Sequence, residues 1–164
     1  DRTVLSYEEM NGYCNRAIKL NPNCKLTLIL MQVNDMEDYM KNEGSGFVQD
    51  LLQSVQDTVR RHVGHRGIVC PLQPNLMSVV VQDINSDIKL RAFIESLRSR
   101  IAWNYRLIDP KYEISFSFGV ACYPENGMDM RIVHRKLVKA LQMAQEKHAN
   151  CYVIYKEHLH GELS

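Results

Sequence analysis

Nowhere in this chain does an apolar run approach the ~20 residues that a membrane-crossing helix needs, and no basic-then-apolar leader opens it. The expectation is a domain that does not insert into a membrane. A disulfide framework is equally unsupported, because the five cysteines, Cys14, Cys24, Cys70, Cys122 and Cys151, are odd in number and never spaced as C-x-x-C. That scatter lacks zinc-ligand spacing as well, and it fits a reducing cytoplasm. Charge of one sign is missing too: 20 Lys plus Arg stand against 19 Asp plus Glu, for a net charge of +1. With no long-range field to concentrate nucleic acid or an anionic membrane, direct nucleic-acid binding is not expected. The one local basic cluster, "RRHVGHR" at 60–66, reads as a solvated helix end. Nothing repeats internally, nothing is low in complexity, and no acid, base and nucleophile cluster together.

What is present suffices for one domain, since 164 residues can bury a real core. The chain begins at Asp1 without a methionine. It is therefore expected to be a piece of a longer protein, with a single domain over 1–157 and residues 158–164 as a tail or linker to a further domain.

The spacing of apolar residues orders the elements. A helix over Tyr7 to Leu20 stops at the turn-forming Asn21-Pro22-Asn23. "KLTLILMQV", 25–33, becomes continuously apolar, as a central strand covered on both faces does. After polar "NDMEDYMKNEGSG", residues Phe47, Leu51, Leu52, Val55 and Val59 mark an amphipathic helix from Phe47 to Val63. "GIVCPL" and "LMSVVVQ" flank the turn Gln73-Pro74-Asn75-Leu76 as a hairpin, and a further helix carries Ile88, Phe93, Ile94, Leu97, Ile101 and Tyr105 behind an N-cap at Ser86.

"YEISFSFGVACYP", 112–124, alternates strictly, which predicts one core face bearing Ile114, Phe116, Phe118 and Val120 opposite Ser115, Ser117 and Gly119. A helix over 129–148 follows, with Ile132, Val133, Leu137, Ala140, Leu141 and Ala144 as its buried stripe, and "CYVIY" supplies a last strand. Helices interleaved with a hairpin and separate strands predict an α+β domain on a mainly antiparallel sheet of about five strands.

The stretch "ISFSFGVACYPENG", then "KALQMAQEKHAN", then "CYVIY", resembles the C-terminal half of a GGDEF domain. Ser117, Gly119, Val120, Ala121, Tyr123, Pro124, Gly127, Ala140, Leu141, Ala144 and Asn150 match that family's pattern in register. Working backwards without a gap, "GIVCPLQPNLMSVVV" takes the place of the signature hairpin and "LILMQVNDMEDYM" that of the strand and turn with the first metal-binding aspartate. Asp1 stands where the family's opening D-x-L-T-G-L begins. The resemblance covers nearly the whole chain and implies a nucleotide-cyclase palm, ferredoxin-like α+β fold.

Active members of that family are diguanylate cyclases, in which two domains meet and condense two GTP molecules into cyclic di-GMP using carboxylate-held divalent metal. In this chain the family's metal carboxylates fall on Gln32 and Asn34, and Asp35 follows one residue along, where a strand end would point it to the other face. The five signature letters fall on Gln73, Pro74, Asn75, Leu76 and Met77. Gln73 and Pro74 restore side-chain bulk where glycines let the backbone approach the nucleotide, and Leu76 puts a hydrocarbon where an acid would ligate metal. The inhibitory product motif R-x-x-D falls on Gly64 and Gly67, the triphosphate-contacting lysine on Gln145, and polar or acidic substrate contacts on Met40 and Gln49.

The resemblance therefore implies a degenerate signature: no catalytic residue, no cofactor, no metal and no cyclase activity. Pro74 and Asn75 remain ordinary turn residues that still close the hairpin. The expected role is a regulatory, signal-transduction domain of a larger bacterial protein, a transcription regulator or cyclic di-GMP pathway component, acting through self-association or a protein partner. The alternative is a sensor that binds GTP or cyclic di-GMP without turnover. Among other residues, His62 with His65 and His158 with His160 are metal-ligand types but lack cysteine or carboxylate partners at ligand spacing. Cys70 and Cys122 read as inert core thiols, and Met31, Met36, Met40, Met77 and Met143 as filling for an emptied cleft or as an adaptable groove for a partner. Trp103 and Tyr105 read as core or interface.

Overall fold

The structure is a computed structural model describing residues 7–84, 86–108, 113–147 and 150–161. Asp1, Tyr112 and His148 lie outside the described residues. In chain order the elements are α1 (Tyr7–Leu20), β1 (Leu26–Val33), α2 (Met36–Glu43), α3 (Ser45–Val63), β2 (Gly67–Gln73), β3 (Leu76–Gln82), α4 (Asp87–Ile108), β4 (Phe116–Tyr123), α5 (Met130–Glu146), β5 (Cys151–Ile154) and α6 (Glu157–His160).

The five strands form one sheet in the order β2-β3-β1-β4-β5, antiparallel throughout except for the parallel pair β4 and β5, which α5 joins. Parallel neighbours need such a crossover, whereas the β2–β3 pair is closed by a tight turn. The α+β expectation is met, with helices on both faces of the sheet. At the outer edge, β2 carries Pro71, and its register with β3 shifts between Pro71 and Gln73. No helix among the described residues is long and apolar enough to cross a membrane.

Alternation along the strands divides the interior into two cores. Ile29, Met31 and Val33 of β1, with Phe116, Phe118 and Val120 of β4, pack under α3 and α4. Leu26, Leu28 and Leu30, with Ala121 and Tyr123, pack under α1 and α5. The single core face expected for β4 is corrected accordingly: Ser115, Ser117 and Ala121 are buried as well, because helices cover both sides. Gly119 shows how close α5 comes, since a Cβ there would lie 2.3 Å from the Leu141 backbone nitrogen. Only glycine fits.

Three local details also differ from expectation. The polar stretch after β1 forms α2, which ends at Gly44, a residue at φ 89 whose N–H donates to the Met40 carbonyl at 3.1 Å. Ile88 is 81 % exposed while Leu90, two residues on and so on the opposite side of α4, takes the buried position. On α5, Ile132 is exposed rather than part of the buried stripe, and Met130 is buried in its place. The basic cluster ends α3 as expected. There Arg66 folds back so that its Nη2 donates to the His62 carbonyl at 2.6 Å, which satisfies a helix-end acceptor with a cation.

Candidate functional site

The end of β1, the β2–β3 turn and the end of α5 come together at one end of the sheet. Strand register brings them there: Gln32 lies opposite Leu76 of β3 on one side and Ser117 of β4 on the other. Even-numbered residues of β1 face α5, so Gln32 points toward that helix, where the Gln145 amide donates to its Oε1. Two residues on, Asn34 donates from Nδ2 to the hydroxyls of Ser115 at 3.0 Å and Ser117 at 3.1 Å, and its backbone N–H donates to the Ser115 carbonyl at 2.9 Å.

The turn is tied to the same place. Asn75 accepts from the Val33 N–H at 2.9 Å and donates from its side-chain amide to the Val33 carbonyl at 3.2 Å, while Gln73 and Pro74 are exposed. Asn75 thus does the work of one more residue of ladder. Leu76 is half-buried against the α1/α5 core, and Met77 on the opposite face is fully buried under α3 and α4.

Met77 and Met31 are register partners in that core, so neither lines a groove at the turn. Met36 and Met143 are half-buried against the two cores, and Met40 is exposed, as is Gln49.

The nearest carboxylates stand outside this amide cluster. Asp35 lies beyond the end of β1 at φ 65, where it begins α2, so strand alternation does not govern its direction. Burial, then the charges of Asp35 and Asp38, push the Tyr39 phenol above its ordinary pKa, and its hydroxyl donates to the Glu113 carbonyl at 3.2 Å. No group of three or more His, Cys, Asp or Glu able to hold a metal ion occurs among the described residues.

Gly64 and Gly67 have their own structural duties. Gly64, at φ 57, donates its N–H to the Arg60 carbonyl and ends α3. A Cβ on Gly67 would fall 1.8 Å from the Val80 carbonyl oxygen, so strand β3 leaves no room for a side chain there.

The histidine pairs do not converge. His62 Nε2 is 3.2 Å from the Phe93 carbonyl and its ring packs on Phe93, while His65 is exposed in the turn after α3. His160 accepts the Lys156 N–H at Nδ1, and His158 is exposed. Cys70 and Cys122 have thiols raised chiefly by burial, Cys122 to about 11, which keeps both protonated and unreactive near neutrality. Tyr105 is buried in the α3/α4 core, whereas Trp103 is 63 % exposed on α4. The residues that sequence reading missed are Ser115 and Ser117 as partners of Asn34. Their signal is two hydroxyls alternating within an otherwise apolar strand.

The sequence profile of the family described as "Diguanylate cyclase, GGDEF domain" matches residues 8–151. Among solved structures, the active GGEEF domain of a diguanylate cyclase from Vibrio cholerae superposes with a TM-score of 0.79 at 14 % identity, over 94 % of this chain and 98 % of that one. A diguanylate cyclase/phosphodiesterase from Caldicellulosiruptor saccharolyticus gives 0.76 at 18 %, over 93 % and 88 %. The GGDEF domain of DgcB from Caulobacter crescentus, in complex with c-di-GMP, gives 0.76 at 13 %, over 94 % and 96 %. At such identities the likeness is one of fold. An uncharacterized protein of Synechocystis sp. is 17 % identical over 142 residues, which is 87 % of this chain and about a fifth of that relative's length.

Proposed function

This chain belongs to the GGDEF family of cyclic di-GMP signalling, and from that premise we propose that it is a regulatory member that does not cyclise GTP. The carrying observation is the amide cluster at the end of β1. Gln32 and Asn34 stand where a cation would need anionic oxygens, each engaged with a neutral protein partner, and at the turn Leu76 presents a half-buried hydrocarbon beside Asn75, whose amide is tied to the Val33 carbonyl. The divalent cations that neutralise a triphosphate are anchored to the protein by carboxylate oxygens, and neutral amides supply no charge to anchor them. Loss of one metal-holding carboxylate removes several kcal/mol of transition-state stabilisation, and each ~1.4 kcal/mol is tenfold in rate.

The domain is proposed to act by self-association or by binding a protein partner within a longer bacterial protein. It works in the cytoplasm, uses no cofactor, and neither enters a membrane nor binds nucleic acid.

Incubation with GTP and Mg²⁺ followed by chromatography is expected to yield no cyclic di-GMP above a protein-free blank. Product that accumulates in proportion to protein would overturn the reading. Calorimetric titration distinguishes the remaining alternative, since a saturable heat with GTP or cyclic di-GMP but no product would make the domain a sensor of that ligand.

A further inference from the structure

On the far side of α5 from the sheet, a groove of about 790 Å³ runs between that helix and the chain from Tyr155 to Glu157. Its lining contains four cations, Arg131, Arg135, Lys136 and Lys139, against one carboxylate, Glu157. Domain-wide charge is nearly balanced, so this imbalance is local.

Two of the cations are held in place by the floor of the groove. Lys136 Nζ bonds to Glu157 at 2.7 Å and to the Asn126 carbonyl at 2.9 Å, and it lies 5.5 Å from the centre of the buried Tyr155 ring. Lys139 Nζ donates to the His160 carbonyl at 2.9 Å and lies 6.0 Å from the same ring. Arg131 is exposed and paired with Asp129, and Arg135 is exposed without a hydrogen bond or ion pair among the described residues. The groove also contains His134, whose Nδ1 is buried with no hydrogen-bond partner while its ring meets Tyr7 edge-on at 4.6 Å.

Spacing selects the ligand. Arg131, Arg135 and Lys139 are four residues apart, about 6 Å per step along a helix axis. An extended peptide presents same-face side chains every ~6.6–7 Å. We infer that this groove docks an acidic segment of a partner protein, bound extended with carboxylates at alternate positions opposite Arg131, Arg135 and Lys139. Tyr155 forms a floor beneath the ammonium groups of Lys136 and Lys139, and the cations supply most of the orientation. The inference is independent of whether the domain turns over GTP, because no residue of the amide cluster lines the groove.

The test is fluorescence anisotropy of a labelled short peptide that alternates glutamate and serine, titrated with the intact chain. Saturable binding is expected, weakened roughly tenfold by Arg131→Glu with Arg135→Glu and by salt above physiological strength, and unchanged by Lys89→Glu on the other face of the sheet. Both arginines are exposed, so the double variant should melt at the temperature of the parent. No saturable binding, or equal losses from the Lys89 variant, would overturn the proposal. So would an oligothymidylate that binds more tightly than the peptide and is displaced by the same arginine substitutions.

Discussion

The sheet separates two packings of different grain. Under α3 and α4 the contacts are made by large groups such as Phe116, Phe118, Ile94, Leu97 and Ile101. Under α1 and α5, small groups such as Ala121, Ala140, Ala144, Cys14 and Cys70 are set among the leucines and methionines, with Gly119 at the closest approach. Large side chains hold helices off and resist emptying, while small ones draw a helix in and resist filling. Because the amide cluster sits at the end of the small-grained side, the closeness of α5 is also what puts Gln145 within reach of Gln32.

Four measurements would break or sharpen that contrast. Phe118→Ala empties the coarse side and should cost about 3–5 kcal/mol in urea denaturation. A loss under 1 kcal/mol would mean the helices there collapse onto the vacancy. Gly119→Ala fills the fine side and should cost about 1–3 kcal/mol, since the added carbon meets backbone atoms of Leu141 and Leu137 that cannot rotate away. If it proved neutral, the helix would not be held as close as its position over β4 implies.

Asn34→Ala tests the site itself. It strips partners from the Ser115 and Ser117 hydroxyls and should cost about 1–2 kcal/mol by the same denaturation assay, whereas Asn34→Ser should recover part of that.

The smallest effect concerns acid. Burial lowers the His62 pKa below its ordinary 6.5, so the unfolded chain binds the proton more readily than the folded one. The resulting stability is present in full above that ordinary value and is lost as pH falls through it toward the folded pKa. Half-buried His134 is displaced in the same direction, by burial, on the other side of the sheet. A melting-temperature series on His62→Gln should show a shallower fall between pH 7 and 5 than the parent, and an unchanged slope would remove His62 from the account.

Much of this architecture was legible in the order of residues. Continuous apolar character marked β1 as central, Asn21-Pro22-Asn23 stopped α1 where the helix does end, and Pro74-Asn75 marked the hairpin turn. Periodicity located helices but misjudged their margins at Ile88 and Ile132, because near a helix start one or two apolar residues do not fix which side faces the sheet: Leu90 and Met130, two residues away, are buried instead. β4 misled for a related reason. Serine and glycine alternating with phenylalanine look like a solvated face, yet here glycine is the mark of a helix pressed against the strand.

At the candidate site, the residue types at Gln32, Asn34 and the turn could be read directly, and their partners could not. Gln145 is 113 residues from Gln32, and Ser117 is 83 from Asn34; only the packing of α5 and the β1–β4 register bring them together. Short α2 escaped notice because its sequence is polar and none of its residues is fully buried, so no stripe announces it.

One consequence lies at the margins of the sheet. The outermost strand on one side contains an imino acid that offers no N–H and an irregular step beside it, and the outermost strand on the other side is only four residues long. A sheet so bordered gives an incoming chain little continuous ladder to extend, which protects a crowded cell from fibrillar stacking of such domains. The helical surfaces on its two faces are unrestricted in this way, since there side chains rather than ladder hydrogen bonds set orientation.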